Sequence, residues 1–499
     1  MFFVATNFQR TAVLRPIGTL NTPCRHPRMA LSTESLRQKM YSSPKTWRYP
    51  PPEGKRLLQV IVALRHGDRA PISPNAGDLV PDVDAWTARL PKPSDADRWD
   101  AAVPVVGPSE PIDANEAPFG VLTVAGAQQC EALGASIRES LLAHAPHLLP
   151  TESSHLRLRA TNIRRTQQSV QNVVFGLLAT RSSSSSGAGG GVDDLALVVP
   201  QPTGVPLLDG LGIAVNDFDM SEVLIPQPYA CPALMERMLE LKPAMEAVTS
   251  LEDGRVLCAV SEALGYPPPA AENFKLDQAR EALVCAFTYD DPAPRSITSD
   301  MVEALLRINA QRWGVRYGDP IVARLGMGRL LGEIGNYMDQ AASADVGQPP
   351  RVVLLSGHDS TIVPLLAALG LFNGLWPPYA AAVRLELGEA GDSETGAPAG
   401  GNFTGSSTGA TGRELYARLL YNDEPLDLHA AMDLVTPADV AGWVPYPSFR
   451  AFLQERAVTH EEVVAACGAD TTEADGGDTS LKDTLVGSGK KVVPGKDGE

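Results

Sequence analysis

Three short segments of the chain are rich in arginine, histidine or aspartate. The first is Arg65-His66-Gly67-Asp68-Arg69-Ala70-Pro71, the second is Ser356-Gly357-His358-Asp359, and the third runs from Arg159 to Thr166. Guanidinium groups are planar, always charged and matched to phosphate oxygens. A neutral histidine can attack phosphorus as a covalent nucleophile, and a carboxylic acid can protonate the departing oxygen. These residue types therefore predict phosphoryl transfer.

Two other functions remain compatible with these residues. A metal-dependent hydrolase could use His66, His358 and Asp359 as ligands, but the arginines flanking His66 would repel a divalent cation. A module that only binds phosphate would need the arginines but neither His66 nor Asp359. We therefore expect a metal-independent reaction without a cofactor, with the non-catalytic phosphate-binding module as an alternative.

Buried strands are predicted directly before the first two segments. Residues 57–64 form a nearly continuous apolar run with β-branched members, and residues 352–355 form a second one. Such runs are typical of strands that are covered on both faces, as in a parallel sheet. The sequence thus predicts an α/β fold with a mainly parallel central sheet flanked by helices. Because ligands bind outside the carboxyl ends of such strands, both polar segments are expected at one edge of the sheet.

The predicted folded domain spans residues 55–465 and has two parts. The α/β core is expected at about 55–71, 150–205 and 315–465, and an inserted, mostly helical cap lobe at about 72–149 and 210–314. Alternating residues at 382–387 and 415–421 predict two strands of an extended hairpin, joined by the Gly- and Ser-rich segment 388–412. The functional site is expected where the core and the cap meet.

The ends of the chain differ from this domain in composition. Residues 1–46 carry seven Arg and Lys against the single acid Glu34, which predicts a disordered or mitochondrial transit segment. Cytoplasmic and secretory or lysosomal locations are the alternatives. Residues 468–499 are polar and Gly-rich and are predicted to be a disordered tail. The six cysteines lack any C-x-x-C spacing, so they are interpreted mostly as buried thiols, with one or two disulfides if the chain is secreted.

Charge and hydropathy exclude several classes of protein. The 499 residues include 42 Lys+Arg and 59 Asp+Glu, for a net charge of −17. An acidic chain of this kind argues against a nucleic-acid-binding protein. No stretch approaches the roughly 18 apolar residues of a membrane span. The expected partner is a small phosphomonoester, and the chain is expected to be a monomer.

The first segment resembles the R-H-G-x-R-x-P pattern of the histidine acid phosphatases, and His358-Asp359 is similar to the second motif of that family. The resemblance implies that His66 is the nucleophile that becomes phosphohistidine and that Asp359 is the proton donor. Since Asp359 must be protonated to donate, an acidic pH preference is expected. The resemblance further implies four phosphate-binding residues: Arg65, Arg69, Arg165 and His358.

The third segment holds two adjacent arginines. The pattern Arg159-x-Thr161-x-x-x-Arg165-Thr166 resembles the R-x-T-x-x-x-R-T segment of the family, and this alignment selects Arg165. The family has an acidic residue where this chain has Arg164. Whether Arg164 contributes beside Arg165 therefore stays open.

Two longer segments indicate a branch of the family. Residues 120–138 resemble its G-x-L-T-x-x-G-x-Q helix, and residues 357–380 are most similar to lysophosphatidic acid phosphatases. The resemblance implies a lysophospholipid such as lysophosphatidic acid as the substrate and a role in lipid metabolism. A phosphosugar or a phytate-type substrate is the alternative within the same family.

Overall fold

The computed structural model of the chain describes residues 40, 55–107, 118–178, 210–266, 275–343, 348–390, 413–434 and 442–468. The predictions for residues 1–39, 41–46 and 469–499 lie outside these described residues. The same holds for the low-complexity segments 181–191 and 391–412.

A mixed sheet lies at the centre of the described chain. Its strands are β1 (Lys55–Arg65), β2 (Val105–Val106), β3 (Leu156–Ala160), β4 (Ile213–Ala214), β5 (Val352–Gly357), β6 (Ala382–Ala390), β7 (Leu415–Tyr421), β8 (Glu424–Pro425) and β9 (Val444–Pro445). The strand order is β2-β4-β3-β5-β1-β6-β7-β8, and β9 also pairs with β7. The pairs β2–β4, β4–β3, β3–β5 and β5–β1 are parallel. The pairs β1–β6, β6–β7, β7–β8 and β7–β9 are antiparallel. The α/β class is confirmed, and the predicted hairpin is the antiparallel pair β6–β7.

Helices cover the sheet and build the cap. They are α1 (Val83–Ala88), α2 (Pro93–Ala102), α3 (Val124–His144), α4 (Arg164–Leu178), α5 (Pro232–Glu240), α6 (Lys242–Ala247), α7 (Leu251–Ala263), α8 (Leu276–Thr288), α9 (Ser299–Tyr317), α10 (Pro320–Ala342), α11 (Asp359–Ala368), α12 (Leu428–Ala431), α13 (Tyr446–Arg456) and α14 (His460–Cys467). Within the described ranges, no helix combines the length and the apolar character that crossing a bilayer requires.

The apolar run of β1 is explained by burial on both faces of the sheet. Val60, Val62 and Leu64 pack in one core with α2, α3 and α4. Ile61 and Ala63 pack on the opposite face with α10, α11 and α13. A separate apolar cluster, formed largely by α5, α7, α8 and α9, makes up the cap. A continuous apolar strand is what a sheet between two helical layers requires.

Helix α3 differs from its predicted place in the cap lobe, because it packs on the sheet through α4. A Cβ at Gly134 of α3 would lie 2.0 Å from the backbone oxygen of Val173, and one at Gly176 of α4 would lie 1.9 Å from that of Glu131. The two glycines therefore let the helix backbones approach closely. The apolar residues of α3 belong to the same core as β1, β3 and β5, so this layer extends the sheet domain.

Two cysteines far apart in sequence form a disulfide. Cys231, at the start of α5, is bonded to Cys467, the last residue of α14, across 236 positions. Of the remaining described cysteines, Cys130 and Cys285 are buried thiols, as predicted, and Cys258 is partly exposed. The disulfide ties the carboxyl end of the described chain to the cap.

Met40 departs from the prediction of a disordered amino-terminal arm. Its side chain is buried in the cap cluster. Its backbone carbonyl accepts a hydrogen bond of 3.3 Å from the backbone N–H of Tyr379. The folded unit therefore includes at least one residue before Lys55.

The glycine contact between α3 and α4 can be tested with a matched pair of alanine variants. Gly134→Ala places a methyl group against the backbone of α4, and we expect the free energy of unfolding to fall by about 1–3 kcal/mol. Gly254→Ala, in α7, meets nothing within 4 Å and should leave stability unchanged or raise it by up to about 1 kcal/mol. Urea denaturation of both variants measures the difference. Equal effects would contradict this account of the packing.

Candidate active site

The register of three parallel strands brings the predicted site residues to one edge of the sheet. Arg65, the last residue of β1, lies opposite Gly357, the last residue of β5. Ala160 of β3 lies opposite Ser356 of β5. The segments that follow these strands therefore leave the sheet side by side. The rings of His66 and His358 meet edge to face, with their centroids 5.5 Å apart.

A hydrogen bond to the backbone fixes the tautomer of His66 and leaves one ring nitrogen unprotonated. Its Nδ1 lies 2.7 Å from the carbonyl oxygen of Gly67. A carbonyl only accepts, so Nδ1 carries the hydrogen and Nε2 keeps its lone pair. Burial lowers the pKa of His66 well below its ordinary value, and the charges of Arg165, Arg65 and Arg69 lower it further. The imidazole is therefore neutral at mildly acidic pH.

The loop after β1, which contains Gly67 and Asp68, packs closely against the start of α3. A Cβ at Gly67 would lie 2.2 Å from the oxygen of Gly126, so only glycine fits there. The Asp68 backbone N–H donates 2.8 Å to Gln129 Oε1, and Thr123 Oγ1 donates 2.6 Å to Asp68 Oδ2. Residues 120–129 thus supply the surface against which the nucleophile loop packs.

Arg65 and Arg69 are buried but differently partnered. Arg65 Nη1 donates 2.6 Å to the carbonyl of Pro377, and Nη2 lies 3.2 Å from Asp359 Oδ2. The Arg65 guanidinium also stacks on the ring of Tyr379 at 4.4 Å. Arg69 Nη1 donates to Glu281 Oε1 in the cap. Core and cap therefore both hold the arginines of the first segment.

The structure separates the two candidate arginines of α4. Arg164 forms a bidentate ion pair with Asp100 of α2, with Nη1 2.8 Å from Oδ1. Arg165 is buried, and its charge is the strongest electrostatic influence lowering the pKa of both His66 and His358. Arg165 is therefore the arginine of this pair that acts most strongly on the two histidines.

A chain of hydroxyl groups orients His358. Its Nε2 lies 2.8 Å from Thr161 Oγ1, which lies 2.9 Å from Thr166 Oγ1. The single hydroxyl hydrogen of Thr166 is engaged with backbone carbonyls, including that of Ile163 at 2.7 Å. Thr161 then donates to Thr166, and His358 Nε2–H donates to Thr161. Burial, followed by Arg165, lowers the pKa of His358 well below its ordinary value.

Asp359 is the first residue of α11 and lies beside the guanidinium group of Arg65. Its Oδ1 accepts 2.9 Å from the backbone N–H of Ser360, and its side chain is 17% exposed. Burial raises the pKa of Asp359, but the charges of Arg65 and Arg280 outweigh this effect and hold the pKa below its ordinary value. The carboxyl group is therefore ionised until a bound anion compensates the arginines.

Three further residues of the site carry no prediction from the sequence. Arg280 and Glu281 come from α8 in the cap, and Tyr379 follows α11. Adjacent Arg and Glu within a buried stretch of α8 are the one local signal, since buried charges need partners. The motifs did not connect α8 with the first segment.

The described part of the chain contains no candidate metal site. Within the ranges that the structure describes, no set of three or more His, Cys, Asp or Glu side chains is placed to hold a metal ion. After burial, the strongest influences on the pKa of His66 are instead the positive charges of Arg165, Arg65 and Arg69.

Comparison with known families decides the classification. The model of the histidine phosphatase superfamily, branch 2, matches residues 56–253 and 260–421. The chain belongs to branch 2 of the histidine phosphatase superfamily. This branch includes acid phosphatases, and the chain is accordingly a phosphomonoesterase of the histidine acid phosphatase family.

Relatives of known name support this classification. Counting factor 60 of Dictyostelium discoideum is 26% identical over 359 residues, covering 67% of this chain and 77% of its own. Human lysophosphatidic acid phosphatase type 6 is 24% identical over 356 residues, covering 66% and 74%. Among solved structures, the phytase of Hafnia alvei in complex with tartrate has a TM-score of 0.51 at 13% identity, covering 83% and 100%. The structural likeness supports the fold.

The division of labour between Arg165 and Arg164 yields a prediction for this phosphatase. Arg165→Gln removes a charge beside both histidines, and we expect kcat/KM for p-nitrophenyl phosphate to fall at least about 100-fold. Arg164→Gln breaks the ion pair with Asp100 and should change kcat/KM less than about threefold. Steady-state kinetics at acidic pH measure both, with thermal denaturation as a folding control. A larger loss in the Arg164 variant would reverse the assignment.

Proposed function

We propose that the chain hydrolyses phosphoric monoesters without a metal ion, through a phosphohistidine at Nε2 of His66. The observation that carries this proposal is the hydrogen bond from His66 Nδ1 to Gly67 O, which leaves Nε2 as the unprotonated nitrogen. Charges from Arg165, Arg65 and Arg69 converge on the same ring. A neutral nucleophile surrounded by fixed cations suits attack on a phosphate group.

In the first step, the Nε2 lone pair of His66 forms a bond to phosphorus while the bond from phosphorus to the ester oxygen breaks. Asp359 gives its proton to that oxygen, and the alcohol leaves. Arg65, Arg69 and Arg165 neutralise the charge on the phosphoryl oxygens that lie across the reaction axis. His358 binds the same group after its second ring nitrogen, Nδ1, has taken up a proton that the charge of the phosphate stabilises.

In the second step, water replaces the alcohol. The Asp359 carboxylate accepts a proton from the water as its oxygen attacks phosphorus. The bond between phosphorus and Nε2 breaks, and its electron pair returns to the imidazole. Inorganic phosphate is released, and His66 and a protonated Asp359 are restored for the next cycle.

The acidic preference follows from the substrate as well as from Asp359. In the free site the arginines hold the pKa of Asp359 below its ordinary value. A phosphate monoester, whose second pKa is about 6, adds up to two negative charges next to this carboxyl group and raises its pKa. Mildly acidic solution supplies the proton together with the monoanionic ester, while the lowered pKa of His66 keeps the nucleophile neutral.

The covalent mechanism predicts the effect of removing His66. With EDTA present, wild type should release phosphate from p-nitrophenyl phosphate at acidic pH, and His66→Ala should lose at least about 10³-fold in kcat. Acid-quenched wild type should hold a heat-labile phosphoryl group on His66, detectable by mass spectrometry. His460→Ala, at an exposed position on α14, is the matched control.

Each alternative function has its own outcome in this experiment. Loss of turnover on adding EDTA would replace the phosphohistidine mechanism with a metal-dependent one. A folded wild type that binds inorganic phosphate but turns over none of several phosphomonoesters would be a phosphate-binding module.

For the substrate, we propose a lysophospholipid monoester such as lysophosphatidic acid. Support comes from the similarity of residues 357–380 and from a curated relative named as a lysophosphatidic acid phosphatase at 24% identity. Phosphosugars and phytate remain the alternative substrates.

The substrate proposal predicts a preference between two phosphates of different character. Lysophosphatidic acid should have a kcat/KM at least about tenfold above that of inositol hexakisphosphate, because burying an acyl chain adds binding energy. Phosphate release is measured for both at the same pH and detergent concentration, with p-nitrophenyl phosphate as the common reference. If the inositol compound is the better substrate, the lipid assignment is wrong and the phosphohistidine chemistry is unaffected.

The compartment also remains a proposal. A mitochondrial location is the prediction from residues 1–46. The Cys231–Cys467 disulfide favours an oxidising compartment, which fits the secretory or lysosomal alternative better than a reducing one.

A further inference from the structure

The cap places a cation on the side of the site from which the leaving group departs. Asp359 must contact the ester oxygen in the proposed reaction, so the residues around Asp359 surround the leaving alcohol. After Arg65, the strongest cationic influence on Asp359 comes from Arg280 of α8. Contacts place Arg280 on the same side: its guanidinium stacks on the ring of Trp376, and the carbonyl of the next residue, Pro377, accepts a hydrogen bond from Arg65. The other terminal nitrogen of Arg65 pairs with Asp359.

Arg280 is buried without the hydrogen bonds that hold the other arginines of the site. It is 6% exposed, and its guanidinium carbon lies 4.0 Å from the centre of the Trp376 ring. Its ion-pair partner is Asp277, whose Oδ1 lies 3.9 Å from Nη2, beyond hydrogen-bond length. Its Nε has no acceptor among the described residues. By contrast, Arg65 donates to the carbonyl of Pro377, and Arg69 donates to the carboxylate of Glu281.

A second arginine adds to the positive charge on this side. Arg316 of α9 is also buried, and its Nε and Nη1 have no hydrogen-bond partner within the described ranges. Arg280 and Arg316 both act on the single carboxylate of Asp277. That carboxylate already accepts a hydrogen bond from the side-chain amide of Asn309. Two cations sharing one carboxylate leave an excess of positive charge beside Asp359.

We propose that Arg280 is a specificity-determining residue that binds an anionic group carried by the leaving alcohol, a carboxylate or a second phosphate close to the ester oxygen. This inference rests on the proposed phosphomonoesterase function and not on the lipid substrate. Because the leaving alcohol of lysophosphatidic acid carries no second anionic group, the inference favours the phytate-type alternative over that lipid. Arg280 lies outside the motifs that supply the arginines for the transferred phosphate. A neutral hydroxyl at the same place, such as that of glycerol, would use the same donors more weakly, since charge-assisted hydrogen bonds are about twice as strong.

Three substrates that differ in one substituent test the inference: n-propyl phosphate, glycerol 3-phosphate and 3-phosphoglycerate. In wild type, kcat/KM should rise in this order, with 3-phosphoglycerate at least about tenfold above n-propyl phosphate. Arg280→Gln should lose at least about tenfold on 3-phosphoglycerate and less than about threefold on n-propyl phosphate. Arg280→Lys, which keeps the charge, should restore part of the order. Arg255→Gln, at an exposed position on α7 in the cap, is the matched control.

Two results would overturn the inference while leaving the phosphatase function intact. One is a wild type with equal kcat/KM for all three substrates, which needs no variant and is independent of folding. The other is an equal loss on all three substrates in a folded Arg280→Gln, because Arg280 would then act on Asp359 or on the transferred phosphate. A wild type that turns over neither these esters nor p-nitrophenyl phosphate would instead refute the proposed function itself.

Discussion

Parallel pairing of β1 with β5 is the constraint on which the site depends. Because Arg65 lies opposite Gly357, His66 and His358 leave adjacent strands at the same level, and β3 continues this edge. A shift of one residue in either strand would turn its side chains to the opposite face and separate the two rings. The register is specified by apolar residues on both faces, such as Val62 and Ile61. Core packing thus sets distances between groups that make no apolar contact themselves.

The second constraint is the cost of burying several arginines together. A buried charge without a partner costs several kcal/mol in a protein interior. Arg69 is compensated by Glu281 from the cap, whereas Arg65 shares the Asp359 carboxylate, a backbone carbonyl and the face of Tyr379. These partners stabilise the free site but leave positive charge around His66, whose pKa is lowered by burial first and then by Arg165, Arg65 and Arg69. A bound phosphate dianion removes that excess, so ground-state stability and anion affinity come from one arrangement of charges.

The parts of the fold that the sequence predicts are those with local signals. The strands β1 and β5 are apolar along their whole length, and the polar segments follow them directly, so the edge with His66 and Asp359 could be placed without coordinates. The contacts of Arg280 and Glu281 could not be placed, because more than 200 residues separate α8 from the first segment and no periodic pattern links them. The position of α3 was missed for a similar reason. Its apolar face fits either a cap or a sheet layer, and only the close approach at Gly134 and Gly176 decides between them.

The cap supplies charged groups to two parts of the site, the arginines that bind phosphate and the proton donor Asp359. Glu281 holds Arg69 on the phosphate side, and the adjacent Arg280 acts on Asp359 on the leaving-group side. One helix therefore couples the position of the anion-binding groups to the protonation of the acid. Moving α8 away from the sheet would release Arg69 and remove a cation from Asp359 together, which raises the pKa of that carboxyl. Proton donation and anion binding thus depend on the same contact between α8 and the carboxyl edge of the sheet.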